Sequence, residues 1–253
     1  MIAIIDVGNT RTKLRINSEI YFFINNKINE DLIEEITLKY NIDKLYYSSV
    51  NNSALYRLKK IINLINYNNK ATNIELIDTS KLLQDQTIID FSFTDGMGND
   101  RKFGLIAAQN IVISPLITID CGTAITLNVL SFNNRALGGA IFPGLYTSAL
   151  ALKHFTSQLP LIEAVLTEEN IINNTEGAIN FGIKSTILGG IEYAITQIKR
   201  DILKEQDIPL IFTGGYGKYL MEILNKKEIF KNAIFIENLV LDGILLLINK
   251  NNK

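Results

Sequence analysis

The sequence predicts an α/β fold made of two similar halves. Three observations carry this prediction: short apolar runs that end in Asp-x-Gly turns, helical apolar spacing between those runs, and a return of the opening pattern near mid-chain. Ile2 to Asp6 is a short apolar run closing on a glycine turn, which reads as a buried strand. Lys13 to Phe23 alternates enough for one or two further strands. Leu32, Ile33, Ile36 and Leu38 give Asn29 to Tyr40 a helical spacing. Leu45 to Val50 then reads as a strand, Ala54 to Ile65 as a helix and Ile74 to Ile77 as a strand. Thr79 to Asp100 is less regular, and its DGMGND stretch is rich in turn formers, so a mobile loop is expected there. Arg101 to Asn110 reads as a helix.

At Leu116 the opening returns. LITIDCGTAITL repeats IAIIDVGNTRTK, with Asp120 for Asp6, Gly122 for Gly8 and Thr126 for Thr12, each 114 residues later. A turn at Asn133–Asn134, a strand and GGAIFPG follow. Tyr146 to Phe155, Gly177 to Ile198 and the stretch ending at Lys250 read as helices, while Pro209 to Phe212 is a strand running into TGGYG. The repeat places a boundary near Ile111 to Pro115, hence subdomains 1–115 and 116–253. In such folds ligands sit where strand ends meet helix starts, in the crevice between halves.

Composition narrows the function. A chain of 253 residues, 47% hydrophobic, can bury a sizeable core. Its 25 basic and 26 acidic residues nearly cancel, which gives no bulk attraction to nucleic acid or to an anionic membrane. The lone Cys121 rules out an intrachain disulfide and fits a reducing cytoplasm. The opening apolar run is too short for a signal sequence, and LVLDGILLLI, broken by Asp242 and Gly243, is too short to span a bilayer and reads as a buried helix. Most of the Asn pairs at 25–26, 51–52, 68–69, 133–134 and 173–174 read as surface turns, and the pairs carry no functional signal.

Four segments carry chemistry. In Asp6-Val7-Gly8-Asn9-Thr10-Arg11-Thr12-Lys13, Gly8 lets backbone N–H groups approach a phosphate. Asn9, Thr10 and Thr12 add neutral donors, Lys13 adds a point charge, and Asp6 at the strand end can hold hydrated Mg²⁺. Taken alone, Asp-x-Gly is an ordinary hairpin turn; its repeat at Asp120-Cys121-Gly122-Thr123 favours a polyphosphate clamp. Cys121 reads as a small buried residue rather than a nucleophile. Thr213-Gly214-Gly215-Tyr216-Gly217 offers a flat backbone near a helix start. In Gly98-Asn99-Asp100-Arg101, Asp100 can accept a hydroxyl proton and Arg101 can grip a carboxylate; equally, Asn99 or Asp100 can be the N-cap of the next helix. The lone His154 has no Cys or His partners for a zinc site and reads as an ordinary helix residue.

In this order, IDVGNTRTK, GNDR, DCGTAIT, GGAIFPG, ALALKHFTSQLP, NTEGAINFGI and FTGGYG resemble the type III pantothenate kinases, from Ile5 to Gly217. The resemblance implies an actin-like (ribonuclease H-like) fold, usually dimeric. It implies ATP-dependent phosphorylation of pantothenate to 4′-phosphopantothenate, the first step of coenzyme A synthesis, with a divalent metal such as Mg²⁺ and a monovalent cation, K⁺ or NH₄⁺. By motif, Asp6 to Lys13 and Thr123 would bind ATP. Gly98, Asn99, Asp100 and Arg101 would bind pantothenate with Asp100 as base, Asp120 would hold the monovalent cation, and Thr175 would reach pantothenate from a neighbouring subunit. The chain departs from the family pattern at Asn128, where the family has Asp, at Lys102, where it often has an aromatic residue, and before Gly98, where a Pro-containing form is usual. Another actin-like kinase and a nucleotide-binding regulator are the competing readings; an intact Asp100-Arg101 pair weighs against the second.

Overall fold

A computed structural model describes residues 1–69, 73–166, 172–205 and 207–251. The elements run β1 (Ile2–Val7), β2 (Arg11–Ile16), β3 (Glu19–Ile24), α1 (Glu30–Lys39), β4 (Lys44–Ser49), α2 (Asn52–Asn68), β5 (Glu75–Asp78), α3 (Ser80–Asp85) and α4 (Asn99–Ile111). They continue with β6 (Leu116–Cys121), β7 (Ala124–Leu130), β8 (Ala136–Pro143), α5 (Leu145–Phe155), α6 (Thr175–Gln197), β9 (Leu210–Thr213), α7 (Gly217–Leu224), β10 (Ala233–Phe235) and α8 (Leu239–Asn251). The contacts divide the chain into two compact units: Met1–Ile88 with Gly96–Ala107 and Leu239–Lys253, and Ile89–Asp95 with Ala108–Asn238. A division at residue 115 follows the repeated motif, whereas the contacts assign α8 to the first unit, where it lies on β1.

The two sheets have the same plan. The first runs β3-β2-β1-β4-β5 and the second β8-β7-β6-β9-β10. In each, the opening three strands form an antiparallel meander and the last two join parallel to the first strand. This duplicated five-stranded α/β order is the ribonuclease H-like plan of actin-like proteins, so the repeat seen in sequence is a repeat of topology.

Period-two burial builds the first unit. Ala3, Ile5, Val7, Leu14, Ile16, Leu45 and Tyr47 share one face and pack on Ile33 and Ile36 of α1 and on Leu58, Ile61, Ile62 and Ile65 of α2. Asn29 and Asn51 cap α1 and α2, their side chains accepting from the N–H of Leu32 and Ala54. Within this unit α8 is fixed by close backbone contact. Gly243 sits so near Phe103 of α4 that any Cβ would overlap the Phe103 carbonyl, and Asp242 accepts from Arg15 at 2.6 Å.

In the second unit α6 carries Ile179, Ile183, Ile187, Ile191 and Ile195, all buried and four residues apart, which makes one apolar stripe against the sheet. Asn174 caps it by accepting from Gly177 N at 2.8 Å. Two elements were not legible beforehand: α3, and the three-residue β10 at the sheet edge. The loop expected through DGMGND is shorter than its composition suggests, since Met97 is buried and Asn99 and Asp100 are already helical.

The Gly243 contact gives a stability test. Alanine normally improves a helix interior, but here its methyl must displace Phe103 backbone. Gly243→Ala is expected to destabilise by about 1–3 kcal/mol, read from urea or thermal unfolding; an unchanged or raised midpoint would show that α8 tolerates the methyl.

Candidate active site

The first Asp-x-Gly corner joins β1 to β2. Gly8 N donates to Arg11 O at 3.0 Å, and a Cβ on Gly8 would stand 2.9 Å from that oxygen, so the turn requires glycine. Asn25 braces the corner from the far end of β3: its Nδ2 donates to the carbonyls of Gly8 (2.8 Å) and Asn9 (3.0 Å), its N–H to Thr10 O (3.1 Å), and its Oδ1 accepts from Thr12 Oγ1 (2.8 Å). Asn51 adds a bond from Nδ2 to Asn9 O at 3.1 Å. These two Asn residues correct their sequence reading as plain surface turns: they hold the corner's carbonyls on the protein side. Asp6 is half-buried and paired in register with Lys13, while Asn9, Thr10 and Arg11 are exposed at the tip. Val7 and Thr12 are buried. The Val7 side chain belongs to the core, and the Thr12 hydroxyl serves Asn25, so both build the turn.

The second corner joins β6 to β7 and is one residue shorter. Gly122 N donates to Ala124 O at 3.0 Å, and Asp120 pairs with Thr126, where Asp6 pairs with Lys13. The matching of Thr126 to Thr12 therefore holds by sequence offset but not by register: Thr126 takes the place of Lys13. This corner has no lysine opposite its carboxylate. Its carbonyls are held differently. Tyr216 Oη donates to Gly122 O at 2.9 Å, and Gly144 N (3.0 Å) and Thr147 Oγ1 (2.6 Å) both donate to Thr123 O. Gly214 lies at φ +88, and a Cβ there would be 2.5 Å from Asp120 Oδ1. TGGYG thus braces the Asp120 corner, with Gly214 and Tyr216 as the working residues. Cys121 between them is buried, and burial, helped by the Asp120 charge, pushes its thiol well up, which leaves it no thiolate for attack.

Gly98-Asn99-Asp100-Arg101 opens α4. Asp100 stands in the first turn, where its Oδ1 accepts from Arg101 N at 2.8 Å, and Lys102 N donates to Gly98 O at 3.2 Å. A Cβ on Gly98 would be 2.6 Å from Asp100 Oδ1 and 3.9 Å from Val50 Cγ1, which follows β4. The motif therefore lies at the same end of the first sheet as the residues after β4. Burial raises the Asp100 carboxyl above its ordinary range and lowers the Arg101 guanidinium, each partly offset by its neighbour. A carboxylate raised this way is the stronger base. Thr175 is exposed at the first position of α6, Thr123 is exposed at the tip of the second corner, and His154 is exposed beside Phe155.

The residues present fit a metal–nucleotide. Among the described residues no cluster of three or more His, Cys, Asp or Glu could hold an ion alone. Single carboxylates at glycine turns suit Mg²⁺, which takes one or two carboxylates and completes its shell with phosphate oxygens and water. No described helix is long and apolar enough to cross a membrane.

The type III pantothenate kinase family profile matches residues 2–197. This chain belongs to that family. It is 31% identical over 235 residues to the type III pantothenate kinase of Thermosipho africanus, covering 91% of this chain and 93% of that one. It is 28% identical over 254 residues to the type III pantothenate kinase of Sulfurihydrogenibium sp., covering 94% and 98%. Among solved structures, a candidate Baf family transcriptional activator from Campylobacter jejuni aligns over 99% of this chain and 98% of its own, with TM-score 0.62 and 23% identity, and shares the fold. As a type III pantothenate kinase, the chain is an ATP-dependent phosphotransferase that acts on pantothenate in coenzyme A synthesis; the regulator reading is not favoured.

The burial of Asp100 has a pH signature. Its pKa is raised in the fold, so its protonated form favours folding; that contribution is whole below the ordinary carboxylate range and is lost as pH rises through the raised value. Asp100→Asn stays neutral throughout. It is expected to melt higher than the wild type near pH 7, with the gap closing towards about pH 4. Melting curves across that range check this, and a pH-independent gap removes burial as the cause.

Proposed function

We propose that Asp100 is the general base of the pantothenate kinase reaction. Asp100 takes the proton from the primary hydroxyl of pantothenate as that oxygen attacks the γ-phosphorus of ATP, and ADP departs with the bridging oxygen and its electron pair. Arg101 holds the pantothenate carboxylate, and Gly98 and Asn99 shape the turn beside it. The Asp6 corner, with Asn9, Thr10 and Arg11 at its tip and Lys13 behind, receives the ATP phosphates; Val7, Gly8 and Thr12 set its backbone. Asp6 would hold Mg²⁺ in this corner, and the ion would supply charge neutralisation for the transferred phosphoryl group. The observation that carries this reading is the raised, half-buried Asp100 carboxyl in the first turn of α4, beside an Arg whose charge is also partly desolvated.

Asp120 is proposed as the monovalent-cation ligand. Asn128, standing where the family motif has Asp, is buried and donates from Nδ2 to Thr118 Oγ1 at 3.0 Å. Asp120 would then supply the carboxylate charge for K⁺ or NH₄⁺ without a second one from position 128. A coupled ADP-release assay tests both parts. Turnover should require pantothenate, be faster in K⁺ or NH₄⁺ than in Na⁺, and fall about 10²–10⁴-fold in Asp100→Asn with ATP binding kept. Turnover near wild type in that variant removes Asp100 from the base role, and equal rates in all three salts remove Asp120 from the cation role.

A homodimer is proposed, with Thr175 serving the partner's pantothenate. Support comes from exposed apolar side chains on α5 and α6: Tyr146 (60% exposed), Leu150 (43%), Phe155 (83%) and Phe181 (38%). Sedimentation at assay concentration should give twice the chain mass, and Thr175→Ala should raise KM for pantothenate with little change for ATP. A monomer with full activity would overturn the shared site.

A further inference from the structure

Ser48 on β4 is 2% exposed, and its Oγ is one of two buried side-chain polar atoms without a hydrogen-bond partner among the described residues. The other, Oε1 of Gln109, belongs to a side chain already anchored by its amide nitrogen on Asn134. The hydroxyls flanking Ser48 are committed to backbone: Ser49 Oγ donates to Asn51 O at 3.1 Å, and Thr79 Oγ1 to Tyr47 O at 2.9 Å. Ser48 is thus the one hydroxyl of these three that remains to be used.

Its neighbour says for what. β1 and β4 run parallel with Asp6 and Ser48 in register. Registered residues on adjacent strands stand about 4.8 Å apart and project to the same sheet face. Two residues further on, Val50 lies near the Gly98 turn that carries Asp100: a Cβ on Gly98 would stand 3.9 Å from Val50 Cγ1. A hydroxyl rotor can donate to a carboxylate, and a carboxylate has about four acceptor sites, so Asp6 can take Ser48 in addition to its present interactions. An orphan hydroxyl costs folding free energy, so it is best explained by a bound state that uses it.

We propose that Ser48 is a positioning residue for phosphoryl transfer, its hydroxyl donating to the Asp6 carboxylate when Mg–ATP is bound and orienting that carboxylate. The proposal rests on the reading of Asp6 as the Mg–ATP carboxylate, and the test separates the two. Binding of Mg–ATP, without pantothenate, is measured by calorimetry for wild type, Ser48→Ala, Asp6→Asn and the double variant, alongside ATP in EDTA and the melting temperature of each unliganded protein. Ser48→Ala should weaken Mg–ATP about tenfold or more, the factor that one hydrogen bond to a carboxylate gives. It should leave metal-free ATP unchanged, keep or raise the unliganded melting temperature, and add nothing to Asp6→Asn. If Ser48→Ala binds Mg–ATP like wild type, or weakens it equally in the Asp6→Asn background, Ser48 does not act through Asp6, whatever happens to stability. Should Asp6→Asn also bind like wild type, the Asp6 reading fails first and takes this one with it. Ser48→Cys, of nearly equal size but a poor donor, repeats the comparison if the alanine variant does not fold.

Discussion

Asn25 decides which way the first corner faces. A four-residue hairpin tip carries carbonyls and N–H groups in alternation, and an anion is attracted only if the carbonyls are turned away from it. One side-chain amide accepts that task for Gly8 and Asn9, the Asn25 backbone N–H does so for Thr10, and the Asn25 side-chain Oδ1 ties down the Thr12 hydroxyl. Arg57 in turn donates to Asn25 O at 3.2 Å, so the brace is itself held from α2. Without the Asn25 side chain, the Gly8 and Asn9 carbonyls both lose this donor, and Asn9 O keeps the bond from Asn51. The polar tip, the strand-end Asp6 and the register with Lys13 all presuppose this arrangement.

The second corner solves the same problem with other parts, which shows what the duplication kept. Sheet order and the Asp-x-Gly turn are common to both units. The hairpin length, the residue facing the carboxylate and the bracing groups differ: Lys13 against Thr126, and Asn25 against Tyr216, Gly144 and Thr147. A lysine opposite a carboxylate brings a cation of its own. A threonine brings only a neutral hydroxyl, and so leaves Asp120 with more of its charge to offer a small cation. The proposed division into a phosphate corner and an ion corner rests on this divergence more than on the repetition.

Much of this was legible because it depends on local rules. Strand alternation, the i, i+4 isoleucines of α6 and the glycine turns declare themselves within a few residues. The braces do not. Asn25 acts across 17 residues and Tyr216 across 94, and neither residue type carries a signal of what it will touch. The one available hint for Asn25 was its place at the end of β3, where the antiparallel meander returns it to the first turn. The shortened second hairpin was hidden for a related reason: counting residues preserves an offset of 114, whereas register changes by one when a loop loses a residue, and that moves Thr126 to the place of Lys13. Ser48 was silent because an orphan hydroxyl is a statement about three dimensions. α3 and β10 escaped through brevity, with too few residues to show a period.

Asp100 occupies a position where two effects of opposite sign meet, and their sizes decide its chemistry. The first turn of a helix favours an anion by about 0.3–1 kcal/mol, and a bond from a backbone N–H adds to that. Both would hold the carboxyl low and make it a poor base. Arg101, next in the chain, pulls the same way. Burial nevertheless outweighs them and leaves the net shift upward. Even partial desolvation of a carboxylate disfavours its charged form, and here it exceeds what one backbone N–H and one guanidinium return. Burial also lowers Arg101, again partly offset by the neighbouring charge of Asp100. Such a pair is an expensive way to start a helix, for which a plain Asn99 or Asp100 cap in water would serve. The proposed reaction gives that cost a use, since it brings the alcohol of pantothenate to Asp100 and its carboxylate to Arg101.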